Sequence, residues 1–227
     1  MKKRLKLRVP LTLDEITMEQ YQRWHQVAEK QENKNTYFLR QKTVEIMCNV
    51  PLKFVSTMAH KTVEEVSGYL FNMLAEETTE FERRFTHNGI EYGFIPDFEN
   101  MSSGEYIDIE GNMGWDDWHR ALAVMYRPII QTHDDKYLIE KYDGIKNDHA
   151  MKSIKASTGI GALFFLISCI EILERDLKGY LNREVNLNPQ WRTILTESGG
   201  GSIVSTPSLA MTFRKLMRSQ VSTLTHF

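Results

Sequence analysis

The sequence predicts a mainly helical α+β protein: a helical body with one β-hairpin, a basic N-terminal strand or arm, and a tethered C-terminal helix. Three observations carry this reading. Apolar residues recur at helical spacing through most of the chain. Asn88-Gly89 separates two β-like runs, a strong hairpin signal. Ser198-Gly-Gly-Gly-Ser202 is a flexible linker that detaches a terminal segment. The expected divisions are an arm over 1–16, a body over 17–197 with the hairpin at 81–95, and a linker plus docking helix over 198–227. The 227 residues suffice for one large domain or two small ones. A chain of this size buries roughly 70% of its unfolded surface and needs no disulfide to fold.

From the N-terminus, Leu5, Leu7 and Val9 alternate with charged residues, as in a short strand or extended arm, until Pro10. Thr17-Met-Glu-Gln20 is a capping box that opens a helix to about Lys30. Met18, Tyr21, Trp24 and Ala28 form its apolar stripe. A second helix, about Tyr37 to Asn49, ends before Pro51. Thr62-Val-Glu-Glu65 reads as another capping box, for a helix to about Ala75. The hairpin runs Phe81–Thr86 and Ile90–Ile95. Ser102-Ser-Gly-Glu105 caps a short helix, and a longer one is expected from Trp115 to Tyr126, stopping at Arg127 before Pro128. Lys136 to Tyr142 is a strand or a capped turn, and a helix spans about His149 to Ala156. Gly159 and Gly161 stand at the entry of an apolar helix, about Gly161 to Leu181, where glycines permit close packing or a kink. That helix turns amphipathic with Glu171, Glu174, Arg175, Asp176 and Lys178. Pro207 then starts a terminal helix to about Val221.

Charge is distributed unevenly. Lys2, Lys3, Arg4, Lys6 and Arg8 have no acid among them, and Arg214, Lys215 and Arg218 follow the last acid, Glu197. The chain carries a net −2, so without these eight cations residues 9–197 carry −10. Leu209, Phe213, Leu216 and Met217 add an apolar stripe to the basic C-terminal segment. Both ends therefore qualify as partner-docking elements for an acidic neighbour, including a copy of the same chain. Plain solvation of the ends, contact with DNA phosphates, and packing of the last helix onto its own domain are the competing readings. The arms lack interleaved aromatics, which argues against single-strand binding.

Cys48 and Cys169 lie in apolar helical patterns and read as reduced core residues, with pairing left open. The charged N-terminus is not followed by an apolar secretory run, so synthesis in a reducing cytoplasm is expected. The longest apolar run, Ile160 to Ile170, is shorter than the about 20 residues a bilayer requires, so no membrane partner is expected.

Catalytic grammar is sparse. His119 follows Asp116-Asp117-Trp118, His133 precedes Asp134-Asp135, and His149 follows Asp148. Imidazole beside carboxylate is the donor chemistry of a metal that activates water, but no ordered set of further ligands flanks these pairs. Surface and capping roles are the better reading, and no metal, cofactor or catalytic residue is expected. Arg127 is placed to cap the carbonyls at a helix end, with anion binding as the second option. Glu105 and Asp108 share a helical face, but Glu105 is explained by the capping box. No phosphate loop, dinucleotide fingerprint, nucleophile elbow or Cys-x-x-Cys is present. Trp115, Trp118, Phe164 and Phe165 fall on core spacing.

Three segments, Met101-Ser-Ser-Gly-Glu-Tyr-Ile-Asp108, Ala123-Val-Met-Tyr-Arg-Pro-Ile129 and Tyr137-Leu-Ile-Glu-Lys-Tyr-Asp-Gly144, together resemble a signature in structural-module proteins of tailed bacteriophages, notably crAss-like and related phages. Gly161-Ala-Leu-Phe-Phe165 fits the same pattern, so the resemblance covers residues 80–180. It implies no catalytic residues. It implies a product of the phage structural module; with the charge polarity and the glycine-tethered terminal helix, the expectation is a virion structural protein of the neck or tail, a head-to-tail connector ring subunit made in the host cytoplasm. Expected partners are copies of itself and other neck or tail proteins, with DNA contact left open. The alternative is a tail assembly chaperone absent from the mature virion. A third reading is a metal-dependent phosphohydrolase using His119, His133 and Asp134.

Overall fold

The computed structural model describes residues 7–30, 36–75, 80–97 and 100–187. The order is α1 (Met18–Lys30), α2 (Thr36–Met47), α3 (Leu52–Val55), α4 (His60–Leu74), β1 (Arg84–His87), β2 (Ile90–Phe94), α5 (Ser103–Gly111), α6 (Trp118–Met125), β3 (Tyr126–His133), β4 (Lys136–Ile139), α7 (Asp148–Ser153) and α8 (Ala156–Leu187). This is a mainly helical α+β fold with a small antiparallel sheet.

Helix α1 forms where its local signals place it. The Thr17 N–H donates to Gln20 Oε1 at 2.9 Å and the Gln20 N–H to Thr17 Oγ1 at 3.2 Å, closing the capping box. Met18, Tyr21, Trp24 and Ala28 are all buried. Helix α2 packs between α1 and α4, and Trp24 Nε1 donates to Thr43 Oγ1 across α1 and α2 at 3.0 Å. The most enclosed element is α6, buried at Trp118, His119 and every residue from Ala121 to Met125. It packs against α5, α7 and α8, and Trp118 Nε1 donates to the Gly159 carbonyl at 3.0 Å.

Several boundaries differ from expectation. Helix α4 opens at His60 on Ala59, with no side-chain cap, so the Thr62–Glu65 pair does not mark its start. The chain passes from α6 straight into β3 at Tyr126, so Arg127 is a strand residue and not a helix cap. The cause is pairing: Phe94, Gly93 and Tyr92 of β2 align with Tyr126, Arg127 and Pro128. The single expected hairpin is thus half of a four-stranded meander ordered β1-β2-β3-β4, with a bulge between Ile129 and Gln131. Helix α7 ends at Ser153, because Ile154 turns extended and its carbonyl accepts the Met18 N–H at 2.9 Å. The Ala156 N–H donates to the Ile16 carbonyl at 2.9 Å, and α8 starts there rather than at Gly161. The glycines of α8 serve close packing: a methyl at Gly159 would sit 2.5 Å from Met18 Sδ, and one at Gly161 would drive into the Glu80 carbonyl oxygen.

Residues Leu7 to Pro10 form no strand; Leu7 and Val9 are half-buried against the core. Cys48 and Cys169 are free thiols, Cys48 buried, and burial pushes its thiol up to about 11. Among the described residues, no helix is long and apolar enough to cross a membrane.

Candidate functional site

Residues from three segments, 101–108, 123–129 and 137–144, are separate in sequence and meet in space. Ser102 caps α5: its Oγ accepts from the Glu105 N–H at 3.3 Å. Glu105 Oε2 accepts in return from the Ser102 N–H and Oγ, each at 2.7 Å. The other carboxylate oxygen, Oε1, accepts from Arg127 Nη2 of β3 at 2.5 Å. Both side chains are enclosed, Arg127 being 12% and Glu105 9% exposed. The Arg127 guanidinium also lies 5.6 Å from the centre of the Tyr142 ring. The Tyr142 hydroxyl donates to Asp108 Oδ2, one turn beyond Glu105 on α5. Gly104 leaves room for that ring, since a Cβ there would lie 3.3 Å from it.

Electrostatics define what this cluster does. Burial pushes the Glu105 carboxyl up, but the Ser102 bonds and the Arg127 charge outweigh that and hold it below its ordinary value. Burial, then the bond to Asp108, push the Tyr142 hydroxyl up. Glu105 is thus a carboxylate already engaged by three donors, and Tyr142 a neutral donor. Such groups are poorly disposed to transfer protons at neutral pH. The arrangement is a latch, fastening α5 to β3 and to the segment after β4.

Residues singled out from the sequence are dispersed. Lys2, Lys3, Arg4, Lys6, Leu209, Phe213, Arg214, Lys215, Leu216, Met217 and Arg218 lie outside the described residues. Arg8 is 91% exposed, with its Nη2 3.9 Å from Glu15 of the same chain. His119 is buried, with Nδ1 3.2 Å from Gln22 Nε2. Burial, then the charge of Lys152, hold its imidazole below the ordinary value. His133 and Asp134 sit at the exposed β3–β4 turn, 3.8 Å apart. Among the described residues, no three His, Cys, Asp or Glu side chains are grouped to share a metal ion. The partnership of Arg127 with Glu105 was missed in the sequence, because a separation of 22 residues carries no periodic signal.

A second feature is the reach of α8. Its 32 residues span roughly 48 Å. Leu166 is its last buried side chain among those described, and Ser168, Glu171, Ile172 and Arg175 are exposed. Compared with known proteins, the chain matches no family model, no curated protein and no solved structure.

Proposed function

We propose that this chain is a virion structural protein of a tailed bacteriophage, a head-to-tail connector ring subunit of the neck or tail that works through protein–protein assembly. The observation that carries the reading is α8, which runs on to Leu187 while Ser168, Glu171, Ile172 and Arg175, among its described residues past Leu166, are exposed. Isolated helices are marginal in water, and most helical stability in proteins comes from packing an apolar face. A neighbouring subunit supplies that packing. The signature latch supports the same reading from another side: its polar groups are spent on holding three elements together. That is the requirement of a rigid assembly part.

Quantitative mass spectrometry of purified particles tests this. A fixed copy number matching a cyclic ring is the expected result. Absence from particles, with abundance in infected cells, would overturn it in favour of a tail assembly chaperone.

A further inference from the structure

The start of α8 is held by a segment from the other end of the chain. Leu13–Glu15 form a single 3-10 turn, Ile16 is extended, and Thr17 pairs antiparallel with Lys155. The Met18 N–H donates to the Ile154 carbonyl and the Ala156 N–H to the Ile16 carbonyl, each at 2.9 Å. Leu13, Ile16 and Met18 are buried. Gly159 carries no Cβ to obstruct Met18, so this segment lies directly on α8.

A helix leaves its first four N–H groups without partners of its own. The residue before α8 is Lys155, whose ammonium only donates, so it cannot cap as Ser, Thr, Asp or Asn would. Asp14 instead brings a carboxylate to that helix end, where the helix dipole favours an anion. Hydrogen bonding from the Ser157 side chain, in the first turn of α8, holds the Asp14 carboxyl below its ordinary value; burial opposes this and the Lys155 charge adds to it. Lys155 Nζ donates to Asp14 Oδ2 at 3.4 Å, but both side chains are about half exposed, so that pair contributes little. The acceptors on Asp14 and Ile16 carry the effect. Thr17 serves both helices, capping α1 through the Gln20 N–H at 3.2 Å while bridging to Lys155. Further along, α8 is gripped independently: Thr158 Oγ1 donates to Glu82 Oε2 at 2.5 Å, and Phe165 stacks on Phe81 at 4.0 Å.

We propose that residues 13–17 are a strap that caps α8 from across the chain, with Asp14 as its positioning residue. With the strap seated, α8 begins at Ala156; with it lifted, the start of α8 frays while the rest of the body stays folded. A binder that engages the N-terminal segment therefore acts on α8 without touching it. This holds whether or not α8 packs against a neighbouring copy.

Hydrogen exchange of the full chain, resolved residue by residue, tests the strap. Asp14→Ala should raise exchange at amides 156, 159 and 160 about fivefold, the change that loss of one N-cap corresponds to. Amides of α4 and α5 should be unchanged. Asp14→Asn, which keeps an acceptor, should recover most of the protection. Glu15→Ala removes the adjacent acid, whose carboxylate lies 3.9 Å from Arg8 Nη2, and should leave α8 as it is. Unchanged exchange in Asp14→Ala, no recovery in Asp14→Asn, or an equal rise in Glu15→Ala would overturn the capping role. A uniform rise from α1 to α8 would overturn the strap, because residues 13–17 would then be inseparable from the core.

Discussion

Replacing Arg127 by methionine strips the Glu105 carboxylate of its cation while leaving it enclosed. Glu105 is 9% exposed and Arg127 12%, so water does little to screen the loss. Removing one partner of a buried pair typically costs about 3–5 kcal/mol. Here the two 2.7 Å bonds from Ser102 persist and keep part of the carboxylate solvated by protein. The expected loss is therefore at the low end, about 3 kcal/mol, or about 6–12 °C in Tm for a chain of this size. Urea unfolding followed by tryptophan fluorescence measures it, with an unchanged slope showing that the same folded state is compared. The loss should depend on pH. The folded Glu105 carboxyl lies below its ordinary value, so its contribution is present above the ordinary carboxylate range. It disappears as pH falls through the lowered folded value. The gap between wild type and Arg127→Met should close in acid, and Glu105→Gln combined with Arg127→Met should cost less than the two single changes summed. A loss below about 1 kcal/mol, the worth of an exposed pair, or a gap that persists in acid, would refute the latch.

His25 is fully buried, and burial drives its imidazole down to about 4, with the Asp116 charge only partly opposing. Stability from its neutral form is complete above about 6.5 and is lost as pH falls towards about 4, a swing of up to about 3 kcal/mol. His25→Leu should flatten that part of the stability–pH curve; an unchanged curve would contradict the assignment. Gly161→Ala should destabilise by about 1–3 kcal/mol, because the added methyl meets the Glu80 backbone rather than a yielding side chain. Gly68→Ala, in the interior of α4 with open space around it, should instead stabilise by about 0.5–1 kcal/mol. Thermal melts of the two variants read both signs, and a Gly161→Ala protein as stable as wild type would disprove the close approach of α8 to Glu80.

Much of what depends on a few consecutive residues was legible in the sequence. The Thr17–Gln20 and Ser102–Glu105 boxes close as the spacing requires, because donor and acceptor are three residues apart. Asn88 and Gly89 adopt the positive φ, 51° and 78°, that the tight hairpin demands. The α1 stripe is buried as its period predicts, and the mainly helical α+β class follows from such local patterns. Tertiary structure decided the rest. Tyr126–Arg127 reads as a helix end, yet pairing with β2 makes it a strand, since ladder bonds from a distant segment outweigh local preference. Thr62–Glu65 has the letters of a capping box, but α4 reaches back to His60 and carries the would-be cap into its interior. The break between α7 and α8 lies at Ile154 because Ile16 and Met18 bond across it. The latch is likewise a tertiary product. It joins residues from several elements, and Tyr92 and Ile90, which share one face of β2, differ in burial only because the body covers one end of that face.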